Sequence, residues 1–363
     1  MPNLQPTLST KNYQIRPSTP ADHDALATFA LGPKVWQQHN RKERATPQGF
    51  RAFFEDGLQL GTALTFERLS DGAVVGSCRY AALTKDGWEI GWTYLNPELW
   101  GTGANGEIKQ ALLEYAYQHV PNVVLHVHQD NYRSQGAVRK LGARVISHLH
   151  PLAPSGLDMI GFLLTREEWK RQQGVARLRS YLAEQSSPRL VFVCTHNSRR
   201  SHLAAVAAQH LGAETGADLM AYSAGTEATA CHPNTVAALR RAGHQLRVAG
   251  STDPDNPRYE LYLAGADELD GAPALELWSK RIDDPSLPNE GFAAVMVCSD
   301  AEANCPYVPG AELRIALPFA DPKRSDGTGL EEVVYDGAYR EVLGTLRRVF
   351  KAAAAEWLIM RQP

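Results

Sequence analysis

The alternation of apolar and polar positions divides this chain into two stretches of different rhythm. Between residues 13 and 165 short β-like runs trade places with helical periodicity. "NYQIRPSTPADHDALATFAL" reads as a strand, a turn, and a helix opened by Pro20 and Asp22. "GTALTFERLSDGAVVGSCRYAAL" reads as a hairpin with Asp71-Gly72 at its turn. "WEIGWTYL" is a further strand, "GANGEIKQALLEYAYQHV" an amphipathic helix, and "NVVLHVHQ" the strand after it. Residues 166–185, "REEWKRQQGVARLRSYLAEQ", are basic with helical spacing, and "SSP" at 186–188 punctuates them. From Arg189 the pattern restarts as strand, loop and helix, with further strands predicted at 218–223 and 292–298. Both stretches are therefore of α/β class, and the second has the rhythm of a doubly wound parallel sheet. The boundaries predicted are 1–165, a helical linker over 166–188, and 189–363. No internal repeat or low-complexity tract interrupts them.

Composition narrows the function classes. A net charge of −3 provides no broad basic field of the kind that nucleic-acid binding needs. The opening "MPNLQPTLSTKNYQIRP" has no apolar signal-like core, and no run approaches the ~18 apolar residues of a membrane span. A cytoplasmic location is expected, with no membrane and no nucleic-acid partner. The five cysteines are an odd number and too sparse for a disulfide framework, so those that matter are expected to act chemically. No metal-ligand spacing stands out.

The chemistry of the second stretch begins at "VFVCTHNSRRSHLA", 191–204. A strand ends on Cys194, five residues intervene, and Arg200 opens an alanine-rich helix. Such a loop gathers backbone N–H groups at a helix N-terminus, which suits an oxyanion. The candidate cradle is Thr195, His196, Asn197, Ser198, Arg199, Arg200 and Ser201. Arg200 offers a planar fork for two oxygens. The same field favours a nucleophilic thiolate at Cys194. Asn197 is expected to hold the loop through its side chain, and Ser201 to hydrogen-bond the sulfur.

This loop resembles the phosphate loop of the low-molecular-weight tyrosine phosphatase superfamily, which includes the thioredoxin-coupled arsenate reductases. "YSAGTEATACHPNTVAALRRAGH", 222–244, resembles that family's second strand, loop and helix, and "LPFADP", 317–322, its acid loop with Asp321 as the acid. The resemblance spans roughly 189–357, with an expansion at about 250–290 that is left unplaced. "VMVCSDAEANCPYVPG", 295–310, carries Cys298 and Cys305, a pair that the reductases have and simple phosphatases do not. The resemblance implies arsenate reduction and arsenic detoxification by a relay. Cys194 attacks arsenate, Cys298 attacks Cys194 as arsenite leaves, Cys305 attacks Cys298, and thioredoxin reduces the resulting disulfide. A helix over 299–305 would set the pair about 10 Å apart, beyond the ~7 Å that a disulfide tolerates, so it would have to unwind. Three positions depart from the family. Arg199 stands where many relatives have a second loop cysteine, His196 where glycine is usual, and Ala205 where some reductases place a cation-binding glutamate. Cys231 is taken as a bystander. A phosphatase using Cys194, Arg200 and Asp321 on a phosphate ester is the alternative.

In the first stretch "PELWGTGANGEIKQALLEYA", 97–116, is again a glycine-rich loop before a helix, suited to a pyrophosphate on backbone N–H groups from Gly101 to Asn105. It has no Walker lysine. It resembles motif A of the GNAT acetyltransferases, in the branch that includes ribosomal-protein N-acetyltransferases. Trp100, Gly101, Thr102, Gly103, Ala104 and Asn105 fall on the cofactor loop R/Q-x-x-G-x-G/A, with Gly103 kept, Trp100 in the first position and Asn105 in the last. "NYRSQGAVRKLGARVI", 131–146, resembles motif B some ~25 residues on, with Asn131 and Ser134 beside the pantetheine and thiol. The resemblance implies a mixed-sheet GNAT fold, acetyl-CoA as cofactor and an amine acceptor. It places Glu89 as the base, and Ser134 is the candidate acid for the departing thiolate. His126 and His128 alternate on one strand face and are read as packing. The acceptor side, with "WQQHNRKERATP" at 36–47, names no substrate. A non-catalytic acetyl-CoA-binding module is the alternative for this half.

Overall fold

The computed structural model describes residues 2–156, 158–250, 253–265, 272–305 and 307–360. Its chain forms two compact units, Met1–Trp169 and Lys170–Pro363.

The first unit is built on one eight-stranded sheet. Its strands are β1 (Leu8–Ser9), β2 (Tyr13–Pro17), β3 (Ala63–Arg68), β4 (Val74–Thr84), β5 (Gly87–Leu95), β6 (Asn122–His128), β7 (Arg144–Val145) and β8 (Met159–Thr165). They lie in the order β1-β2-β3-β4-β5-β6-β8-β7. The β3–β4 hairpin turns at Asp71-Gly72, where Gly72 takes φ +70°. Every pairing is antiparallel except β5 with β6. That parallel pairing stops after Glu89↔Val124. Beyond it β5 stays bonded to β4, and β6 stays bonded to β8. Their facing edges are thus left without each other, and a slot opens between them. Opposite Ser77–Arg79 of β4, β5 carries one extra residue between Gly91 and Tyr94, where Trp92 takes φ +53°, a bulge that bends β5.

Helix α4 (Ala104–His119) covers one face of the sheet. Its Ile108, Leu112 and Ala116 follow helical spacing and pack with Tyr80, Trp88 and Ile90. Each such large side chain, wholly buried, contributes about 1.5–3 kcal/mol. Helices α1 (Asp22–Ala30), α2 (Pro33–Trp36) and α3 (Pro47–Gln59) precede it in the chain, and α5 (Tyr132–Lys140) follows. Leu26, Trp36, Phe50, Phe54 and Tyr94 form a separate aromatic core.

Helix α6 (Arg166–Glu184) spans the division between the units. The stretch read as a connecting helix therefore does more than connect. Leu178, Tyr181, Leu182 and Ala183 belong to the core of the second unit. Gly174 lies so close to that core that an added Cβ would sit 1.9 Å from the Ala316 carbonyl oxygen.

The second unit has a four-stranded, all-parallel sheet. It consists of β9 (Arg189–Cys194), β10 (Met220–Gly225), β14 (Phe292–Met296) and β15 (Ala311–Ala316), in the order β10-β9-β14-β15. The uninterrupted apolar run Leu190–Cys194 suits β9, which is paired on both edges and covered on both faces. Helices α7 (Arg200–Thr215), α8 (Pro233–Arg241) and α10 (Glu331–Met360) pack around the sheet, and Ala204, Ala205, Ala207 and Ala208 of α7 are wholly buried. The unplaced expansion resolves in part into a second sheet. It is antiparallel, formed by β11 (Gln245–Val248), β12 (Tyr259–Tyr262) and β13 (Leu275–Leu277). Residues 251–252 and 266–271 of the expansion lie outside the described residues. A six-residue helix, α9 (Ser299–Asn304), separates Cys298 from Cys305.

Candidate functional site

Two sites emerge, one in each unit. In the second unit, Cys194 closes the central strand β9 and is 4% exposed. The loop that follows makes a tight turn through Asn197, whose φ is +44°, a region that asparagine tolerates better than most residues. The Asn197 side chain ties the loop on two sides. Its Nδ2 donates to Ser201 Oγ at 2.8 Å, and its Oδ1 accepts from the Lys280 backbone N–H at 2.9 Å. Ser201 Oγ in turn lies 3.1 Å from Cys194 Sγ.

The loop's carbonyls are taken up from outside. Thr226 N donates to the Cys194 carbonyl, Glu227 N to Thr195, Ser279 Oγ to His196 and His232 N to Ser198. The N–H groups of Thr195–Arg199 donate to no group among the described residues. Outward carbonyls and unused amides at the start of α7 make a cradle for an anion. Gly225 is required beside it, because a Cβ there would sit 2.7 Å from both the Thr195 oxygen and the Asn197 nitrogen.

Arg200 and Asp321 are brought together. Arg200 Nη2 donates to Asp321 Oδ2 at 2.6 Å, and its Nη1 to the Phe319 carbonyl at 3.3 Å. Asp321 Oδ1 also accepts from Lys323 N at the turn after the strand. Arg199 behaves differently from the cradle residues around it. Its guanidinium is bonded to Tyr335 Oη at 2.7 Å and to Asp326 Oδ2 at 2.6 Å, so only its backbone is left for an anion. Tyr335 donates to Asp326 and stacks on His232. His196 is half exposed, with Glu227 3.5 Å away.

The second cysteine stands beside the loop. Strand β14 neighbours β9, and Cys298, just past its end, has Sγ 3.5 Å from Thr195 Oγ1. The same sulfur accepts from Ala301 N at 3.3 Å, capping α9. Cys305 is half-buried at the other end of α9, and its thiol donates to the Tyr307 carbonyl. Cys231 is buried, and burial pushes its thiol up to about 12, which leaves it inert near neutral pH.

Several residues around this site have no local signature in the sequence. Lys280 is buried with its Nζ 3.7 Å from the centre of the Trp278 ring, and burial pushes its ammonium down to about 8. His202 is wholly buried, 3.0 Å from Ser223 Oγ, and burial pushes it down to about 3. Asp326, Tyr335, Ser279 and Lys280 lie 80 or more positions from the loop they hold, as the span from Asn197 to Lys280 shows.

In the first unit, the loop Trp100–Ala104 leads into α4. Gly101 and Gly103 take φ +84° and +93°, conformations that suit glycine. The first-turn N–H groups of α4 point back over the loop. The Arg133 guanidinium stacks on the Trp100 ring at 3.8 Å, and Lys34 lies 5.7 Å from it. The loop and the first turn of α5 are therefore neighbours, with two cations beside them. Asn131 is less available than expected, since its Oδ1 accepts from Ser134 N at 3.1 Å and caps α5. The half-buried Ser134 hydroxyl has no hydrogen bond among the described residues. Lys109 is buried in α4 with Nζ 2.6 Å from Thr93 Oγ1, and burial pushes it down to about 8.

Glu89 is the last residue of β5 paired to β6, at the closed end of the slot. His126 is not simple packing. Its Nδ1 lies 3.1 Å from Glu89 Oε2 and its Nε2 3.0 Å from the Leu152 carbonyl. Among the described residues no group of three or more His, Cys, Asp or Glu side chains could hold a metal ion, and no helix is long and apolar enough to cross a membrane.

Comparison with known proteins separates the same two halves. Residues 13–144 match the acetyltransferase (GNAT) domain model, and residues 189–256 match the low molecular weight phosphotyrosine protein phosphatase model. An arsenate reductase of Bacillus licheniformis is 29% identical over 160 residues, which cover 44% of this chain and 91% of that protein. An arsenate reductase of Bacillus subtilis is 28% identical over 162 residues, covering 44% and 93%. Among solved structures, a putative acetyltransferase from T. thermophilus is 26% identical with a TM-score of 0.37, covering 45% of this chain and 92% of that one.

Proposed function

For a chain that joins a GNAT acetyltransferase domain to a domain of the low-molecular-weight phosphotyrosine phosphatase family, we propose two activities. The second domain reduces arsenate to arsenite through Cys194, Cys298 and Cys305, and the first transfers acetyl from acetyl-CoA to an amine. The observation that carries the reductase reading is the place of Cys298, whose sulfur lies 3.5 Å from Thr195 Oγ1, the residue after the nucleophile. A phosphatase needs no second thiol there.

The relay balances. The Cys194 thiolate attacks arsenic(V), and an oxygen leaves as water after protonation, giving a thiol–arsenic(V) adduct. The Cys298 thiolate attacks the Cys194 sulfur. The S–As bond breaks toward arsenic, which leaves as arsenite with the electron pair. The Cys305 thiolate then attacks Cys298 and frees Cys194. A thioredoxin dithiol reduces the Cys298–Cys305 disulfide and becomes a disulfide itself. Backbone amides of Thr195–Arg199 and the Arg200 fork hold the oxyanion. The incoming anion competes with Asp321 for Arg200 and so frees the carboxylate, which takes up a proton from solvent and passes it to the departing oxygen. Because α9 separates the two cysteines by about 10 Å of helix rise, forming their disulfide unwinds it and presents it to thioredoxin. Dependence on thioredoxin implies a reducing, cytoplasmic setting.

In the first domain, the Trp100–Asn105 loop, with Arg133 and Lys34 beside it, would hold the pyrophosphate of acetyl-CoA. The unpaired strand edges between β5 and β6 would receive the amides of its pantetheine arm. Glu89 acts as base, and the unbonded Ser134 hydroxyl protonates the thiolate.

The testing experiment is arsenate-dependent NADPH oxidation, coupled through thioredoxin and thioredoxin reductase. Purified chain should support it, and replacing arsenate by buffer should abolish it. A second reading, a phosphatase, is favoured by the place of Asp321 beside the cradle, where the carboxyl, once displaced from Arg200 and protonated, would serve an ester leaving group. Hydrolysis of a phosphate ester that survives loss of Cys298, without any arsenate reduction, would select it. Acetyl-CoA with a panel of amines tests the first domain, and tight binding without transfer would make it a binding module.

A further inference from the structure

Two neighbours fix the state of the His126 ring. The Leu152 backbone oxygen can only accept, so His126 Nε2, 3.0 Å away, carries a proton. The other nitrogen, Nδ1, faces Glu89 Oε2 at 3.1 Å. A bare lone pair opposite a carboxylate would repel it, so one proton must lie between them. Both side chains are about nine-tenths buried, each with 11% of its side-chain surface exposed. The contact is built into the sheet. Gly91, two residues along β5 from Glu89, leaves room for the carboxylate, since a Cβ there would sit 2.8 Å from Glu89 Oε1. Gly161 of β8 lies opposite His126 and brings no side chain against the ring.

We propose that the proton acceptor of acetyl transfer is the Glu89–His126 pair acting as one unit, with the Leu152 carbonyl fixing the ring, rather than the Glu89 carboxylate alone. This rests on the acetyltransferase reading of the first domain. With the shared proton in place the pair is neutral and accepts no further proton from an ammonium group. When that proton leaves to solvent the pair carries one negative charge. It then takes one proton from the attacking amine nitrogen as the C–N bond forms and the C–S bond of acetyl-CoA breaks. His126 is thus a positioning residue with a titration of its own, and it makes the site active on the alkaline side of that titration.

The charges that face the ring agree with this. Glu89 comes from β5 and the Leu152 carbonyl from the segment before β8. His128, one pleat along β6, leans on Asp158 at 3.5 Å and Asp130 at 3.8 Å. Lys109 of α4 is close enough to act on Glu89 through space. Burial pushes the His126 imidazolium down, but the hydrogen bonds to Glu89 and Leu152 outweigh it, and the ring titrates above its ordinary value.

The test uses the full chain labelled with 15N-histidine, with His126 assigned by its loss in His126→Gln. The parent should show a His126 midpoint above about 6.5, the ordinary value. In Glu89→Gln burial remains without the carboxylate, and the midpoint should fall below it. A parent midpoint at or below the ordinary value, or one that Glu89→Gln leaves unmoved, overturns the proposal. A kinetic arm uses acetyl-CoA and the amine found in the panel above. The rise of kcat/KM with pH should follow the His126 midpoint in the parent and move to lower pH in His126→Asn, while the amine's own titration is common to both. Superimposable profiles also overturn it. A chain that acetylates no amine would end the acetyltransferase reading, while the ring titration would still decide whether the pair exists.

Discussion

At the scale of single residues, the Cys194–Ser201 loop depends on a few side-chain atoms. Asn197→Ala removes a side chain that tolerates φ +44°, and it strands the buried Lys280 N–H that Asn197 Oδ1 accepts. A left-handed alanine costs about 1–2 kcal/mol and an unsatisfied buried donor about 1–3 kcal/mol. A stability loss of about 3 kcal/mol by urea unfolding is expected on those two terms. Asn197→Gly should lose less, because glycine accepts the backbone angle. Arg200→Lys should lower arsenate turnover by at least ~10²-fold, since a point charge cannot replace the bidentate fork. Steady-state kinetics check this, and a loss of only a few-fold would mean that Arg200 serves Asp321 alone. The strand–loop–helix unit that carries Cys194 and Arg200 was legible in the sequence because strand end, loop and helix start lie within one short stretch. The Lys280 amide that holds Asn197 was not, because a backbone N–H carries no residue signature.

At the scale of elements, the glycines of the Trp100–Asn105 loop and the buried histidines of the second domain give separate tests. Gly103→Glu places a side chain at φ +93° and a negative charge where a pyrophosphate would sit. Calorimetry should show acetyl-CoA affinity reduced at least tenfold. His202 and His244 are both buried, and burial pushes them to about 3 and about 4. Unfolded histidine titrates near ~6.5, so the unfolded chain binds more protons as pH falls. Stability is then fully present above about pH 6.5 and is lost toward acid, by roughly 2 kcal/mol for each ring at pH 5. Urea midpoints at pH 7.5 and pH 5 should differ in the parent, and His202→Asn should shrink the difference by about that amount. The helical period of α4 and the unbroken apolar run of β9 were readable. The sheet β11-β12-β13 was not, because its strands are short and two of them pair across segments of irregular sequence. The core role of α6 was hidden by its basic residues, which outnumber the few apolar positions that it buries.

At the scale of the whole molecule, one chain would carry two independent chemistries. Gly103→Glu should therefore leave arsenate turnover at the parent rate. The proposed order of the thiol relay can be read from a single turnover. Arsenite is quantified by rapid quench in a single turnover without thioredoxin, and the disulfides are mapped by mass spectrometry, for the parent, Cys298→Ser and Cys305→Ser. Cys298→Ser should release no arsenite above background, because nothing attacks the Cys194 adduct. Cys305→Ser should release one arsenite per active site and trap a Cys194–Cys298 disulfide, and the parent should form a Cys298–Cys305 disulfide. Equal arsenite release by both variants and the parent, with no disulfide joining Cys298 to either partner, would contradict that order.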